Sequence, residues 1–83
     1  MSSLDRIREA LDAVARGTSD ARGSLVHAGA RLEEAAQMYA DLDGDTHEQL
    51  PADRMSAAHD DVGAALGSLD LAAGIVDDLA ARL

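Results

Sequence analysis

The sequence predicts an all-α protein: an antiparallel hairpin of two long helices that dimerises into a four-helix bundle. Three observations carry that reading. A seven-residue apolar register runs through the first forty-odd residues, one strong turn signal interrupts the chain, and both flanking segments lose their charges at the same height.

The register defines the first helix. Leu4, Ile7, Leu11, Val14, Thr18, Ala21, Leu25, Ala28, Leu32, Ala35, Tyr39 and Leu42 step by alternating threes and fours. A helix turns every ~3.6 residues, so these positions form one stripe, the seam of a coiled coil or bundle. Ser2 followed by Asp5 resembles a capping box with Asp in place of Glu, and Asp5 suits the positive end of the helix dipole. Helix 1 is thus expected over about 3–42, a rod of roughly 60 Å at 1.5 Å per residue. Arg16-Gly17-Thr18-Ser19 could end one helix and cap another. The register crosses it without a phase slip, which favours a continuous helix.

Asp43-Gly44-Asp45-Thr46 is the turn, and the loop is expected over 43–50. Pro51 fits the first turn of helix 2, expected over about 51–83, with Asp53 as a favourable acid near its start. Met55, Ala58, Val62, Ala65, Leu69, Ala72, Val76, Leu79 and Leu83 again step by threes and fours. A short loop between long helices makes them antiparallel neighbours in one domain. With the turn near residue 46, facing positions have numbers that sum to about 93. Arg31 then falls beside Asp61, while Arg16 and Arg22 approach Asp70, Asp77 and Asp78 at poorer angles.

Segment 62–76 contains one charged residue, Asp70, and residues 24–30 contain no acid and no Arg. A helix packed on one side only should show charge every turn on the other. Leu66 widens the seam of helix 2, while Leu71 and Ile75 lie on a second face. The uncharged band predicts self-association, with Leu25, Ala28, Leu32, Val62, Leu66, Leu69, Leu71 and Ile75 as the interface. Six glycines fall inside the helices, each less favourable than Ala by about 1 kcal/mol, which asks for close helix approach as an offset.

Charge limits the partners. Of the net −9, residues 1–31 contribute +1 and residues 32–83 contribute −10. That half would repel a phosphate backbone and no basic stripe balances it, so nucleic acid is not an expected partner. The acidity suits solubility or a basic protein partner. There is no Cys, hence no disulfide, thiolate metal site or Cys nucleophile. No apolar run reaches ~18 residues and the N-terminus lacks the apolar block of a signal peptide. The expectation is a cytoplasmic protein that does not enter membranes.

The chemically suggestive stretch is Asp41-Leu42-Asp43-Gly44-Asp45-Thr46-His47, with three carboxylates at alternate positions like the opening of an EF-hand loop. The sixth position is Thr46 where Gly is needed, and the twelfth is Ala52 where a bidentate Glu belongs. It reads as a solvated turn, with weak divalent-cation binding through Asp41, Asp43, Asp45 and His47 as the competing reading. His27, His47 and His59 form no spaced metal pair, and His59-Asp60-Asp61 has neither nucleophile nor oxyanion site beside it. Glu33-Glu34, Asp60-Asp61 and Asp77-Asp78 point about 100° apart in pairs, unlike the facing carboxylates of acid–base catalysis. No catalytic residue and no cofactor is therefore expected, and the chain reads as a noncatalytic helical interaction module.

In size and expected topology the chain is similar to the small secreted ESX-type hairpins of actinobacteria. Tyr39-x-x-x-Asp43 has the spacing of their secretion signal, although it precedes the turn instead of following helix 2. Their Trp-x-Gly turn is replaced by Asp-Gly-Asp in a chain without Trp. The resemblance implies a secreted interaction hairpin as an alternative, on likeness of shape.

Overall fold

The structure, a computed structural model, describes the backbone of residues 2–41 and 49–83 and the side chains of residues 2–41 and 53–83. Two helices account for nearly all of it: α1, Ser3–Ala40, and α2, Gln49–Ala81, packed antiparallel along their lengths. The rod measures 66 × 15 × 13 Å. Its radius of gyration is 19.0 Å, where a compact domain of this length would have about 12 Å.

Local chemistry accounts for the helix ends. Ser2 is the N-cap in extended conformation, and its Oγ accepts the Asp5 N–H at 3.2 Å. That bond satisfies one of the four amide donors a helix start leaves unpaired. α1 then runs through Gly17 without a break, in keeping with the unbroken register. It closes at Asp41, whose N–H donates to the Gln37 carbonyl at 3.0 Å. α2 starts two residues ahead of Pro51. The first four N–H groups of any helix lack an intrahelical acceptor, so proline within that turn removes no helix bond. At the other end, Arg82 and Leu83 donate to the Leu79 and Ala80 carbonyls at 3.2 Å each, the tighter i to i−3 pattern of a final turn.

The interhelical register agrees with the expected hairpin to within two residues. Gly29 lies against Val62, Arg22 bonds Asp70, and Arg8 bonds the Leu83 carbonyl. These pairs have numbers that sum to about 91 or 92.

Rotation about the helix axis differs from the expected seam. In α1 the covered positions are Leu11, Ala15, Thr18, Leu25, Gly29, Leu32, Ala36 and Tyr39. The row Leu11, Thr18, Leu25, Leu32, Tyr39 is the expected one. Its companion is the row of Ala15, Arg22, Gly29 and Ala36, in place of Ile7, Val14, Ala21, Ala28 and Ala35, which are exposed. Small side chains decide this: a Cβ built on Gly29 would lie 3.4 Å from Val62 Cγ1, so the helices approach where nothing bulky intervenes. In α2 the covered positions are Met55, Ala58, Val62, Ala65, Leu66, Leu69, Ala73 and Val76; Ala73 takes the place expected of Ala72, and Leu79 and Leu83 stay exposed.

The same rotation moves the ion pairs. Arg22 enters the contact line and its Nε donates to Asp70 Oδ1 at 2.9 Å. Arg31, expected beside Asp61, makes its ion pair with Glu34 instead, one turn along its own helix, at 3.4 Å. Arg8 crosses to the C-terminal end of α2, where a cation meets the negative end of the helix dipole.

Among the described residues no apolar side chain is buried, and Gly29 is the one buried residue. Two helices in a single layer cannot enclose a core, because each keeps most of its circumference in solvent.

Candidate functional site

Each helix has two flanks beside the contact line, and the two flanks differ in chemistry. On one side, Val26, Ala30 and Glu33 of α1 share a shallow groove with His59, Gly63 and Leu66 of α2. Arg22 and Asp70 belong to this side, which carries charges along its length. Its partly apolar floor is interrupted by Glu33 and His59.

The other side is formed by the row that the contact line leaves out. Ile7, Val14, Ala21, Ala28 and Ala35 recur every seventh residue and all are exposed. Across the rod, the matching flank of α2 presents Ser68, Ala72, Ile75 and Leu79, all exposed, with the partly covered Ala65 at its edge. Between Ile7 and Ala28, and between Ala65 and Leu79, these rows carry no charged residue. The uncharged span is about 30 Å long at 1.5 Å per residue. Asp61, with Arg31 and Arg54, marks its end towards the loop, and Arg82 its end towards the chain termini.

Large side chains are distributed unevenly along the face. Ile75 is 61% exposed, Val14 51%, Ile7 48% and Leu79 46%. Seven of the nine large apolar side chains exposed among the described residues lie in segments 4–14 and 71–83, the open end of the hairpin. Towards the loop the face is Ala28 and Ala35, with the partly covered Ala58 and Ala65 beside them and Met38 at its edge.

The expected interface residues separate into two groups. Leu25, Leu32, Val62, Leu66 and Leu69 are half-buried between α1 and α2, while Ala28, Leu71 and Ile75 are exposed. Ile7, Val14 and Leu79, expected in the seam between the helices, join Ala28 and Ile75 on the outer face. The helical register offered both companion rows and did not decide between them. A step of four residues moves about 40° one way round the axis and a step of three about 60° the other. The choice between the two companion rows was therefore a choice of face.

The loop chemistry has less to report. Asp41 caps α1; Asp43, Asp45 and His47 lie outside the described residues, as does Leu42 of the expected seam. Among the described residues no group of three His, Asp or Glu side chains is gathered as a metal would require. No helix there is long and apolar enough to cross a membrane. Of the six helical glycines, five (Gly17, Gly23, Gly63, Gly67, Gly74) have nothing within 4 Å of a Cβ built on them. Close approach within the hairpin accounts for Gly29 alone.

The fold and this face define a two-helix antiparallel hairpin with one uncharged flank and one charged flank. No family model, curated protein or solved structure matches the chain.

Proposed function

We propose that the protein is a noncatalytic assembly module that pairs with a second copy of itself through the uncharged face, giving a four-helix bundle. The single observation that carries this reading is the angular offset between the apolar stripe and the contact line. On α1 the stripe lies off that line by roughly half of a right angle, and on α2 it departs towards the same flank at Ala72 and Leu79, which are exposed. In a square bundle the centre lies at about that angle from the line to a neighbouring helix. The side chains of both helices are therefore set for a core that two helices alone do not enclose.

Surface area supports the same reading. The chain exposes 6201 Å², where a compact monomer of 8.6 kDa exposes about 4,700 Å². A compact protein of twice that mass exposes about 7,800 Å². Pairing two hairpins would then remove about 4,600 Å² from water, within the range of obligate dimers. The charged outer surfaces stay in solvent and suit a basic protein partner.

Sedimentation equilibrium over a wide concentration range, with helicity followed in parallel, tests the reading. The expected result is a helical dimer that Val14→Asp and Ile75→Asp each weaken at least tenfold. A helical monomer at every concentration would overturn it.

A further inference from the structure

The uncharged face has a direction, large at the open end and small towards the loop, and that direction constrains how a second copy can sit on it. On the assembly reading above, we infer that the two copies pair end to end reversed, each open end lying over the partner's loop half. The two-fold axis crosses the rod near Ala21. α1 then lies antiparallel on α1, and α2 on α2.

Side-chain size carries the inference. In the reversed arrangement the row Ile7, Val14, Ala21, Ala28, Ala35 meets itself backwards. Ile7 faces Ala35 of the second copy, Val14 faces its Ala28, and Ala21 meets Ala21. On α2, Ile75 falls level with Ala65 of the second copy. Along these rows large opposes small on either side of the central Ala21 pair, so straight helices keep a nearly constant separation along the layer. With the open ends together, Val14 would meet Ile75 and force the rods apart at that end. Alanine would then face alanine across a gap at the other.

Charge agrees. Asp61 is the one acid in these rows of the face, and reversal brings it within a turn of Arg82 from the second copy. With the open ends together it would instead meet Arg31, whose guanidinium is already bonded to Glu34. The reversed register thus gives Asp61 a cation of the second copy that no ion pair among the described residues already holds, and leaves no acid facing apolar surface.

The chain has no cysteine, so single-cysteine variants report one position each. Ala21→Cys under mild oxidation is expected to link to itself as rapidly as the dimer forms, since a disulfide needs Cα atoms within about 7 Å. Mixed Val14→Cys and Ala28→Cys chains are expected to link to each other, and mixed Val14→Cys and Ile75→Cys chains are not. A second readout leaves the interface untouched. Spin labels on Glu34→Cys should lie about 40 Å or more apart in the reversed dimer, against about 25 Å with open ends together. A dimer that links Val14→Cys to Ile75→Cys and gives the shorter label distance overturns the reversed arrangement and leaves the assembly reading intact. A chain that sediments as a monomer overturns both.

Discussion

Glycine is the residue type whose placement is most open to measurement. Gly23 and Gly67 lie within helices and have open space where a Cβ would be. Alanine at either position should stabilise the hairpin by about 1 kcal/mol, because it removes backbone freedom from the unfolded chain and costs no contact. For a domain of this size that is a rise in Tm of roughly 4–8 °C, read by thermal unfolding followed at the helix signal. Gly29→Ala places a methyl at ordinary contact distance from Val62, whereas Gly29→Leu should pry the helices apart and lower Tm. The Arg22–Asp70 pair is the complementary case. Both side chains are more than half exposed, at 51% and 58%. A double-mutant cycle should therefore give a coupling of about 0–1 kcal/mol that fades in high salt. The pair sets which flank faces which more than it holds the helices together.

At the scale of the element, the helices owe their ends to local chemistry and their rotation to packing. Removing the cap oxygen by Ser2→Ala should destabilise α1 by about 1 kcal/mol, visible as lower helicity on mild heating. Helix identity, continuity through Gly17 and the antiparallel register were legible in the spacing of Leu11, Thr18, Leu25 and Leu32 and in the turn signal of the sequence Asp-Gly-Asp. The rotation was not. Val14 and Ala15 both sit one helical step from Leu11, and hydrophobicity favours Val14. The structure turns Ala15 and Gly29 inward because closeness between two rods depends on small side chains. Arg22 and Arg31 followed: their partners could be read only once the contact line was known. Of the residues expected at an interface, Leu25, Leu32, Val62, Leu66 and Leu69 turn towards the other helix while Ala28, Leu71 and Ile75 are exposed, a division that spacing alone did not give for the same reason.

Across the whole molecule, no apolar side chain is buried among the described residues, and on the assembly reading proposed above the missing core is supplied by a second copy. A self-pairing hairpin should accordingly show a Tm that rises with protein concentration, by mass action between copies. Equilibrium unfolding monitored at two concentrations a hundredfold apart checks this; superimposable curves would speak for a self-sufficient monomer.

The hairpin geometry also orders events in time. Contacts near the loop join residues close in sequence, such as Gly29 with Val62, while Arg8 must find Leu83 across nearly the whole chain. Closing entropy rises with the logarithm of the intervening length, so the two helices are expected to zip from the loop outward. The end that closes last is also the end where Ile7, Val14, Ile75 and Leu79 are concentrated. In kinetic terms the chain would then expose its stickiest surface the longest. Amide exchange should be fastest there in dilute protein and slow selectively there as copies accumulate.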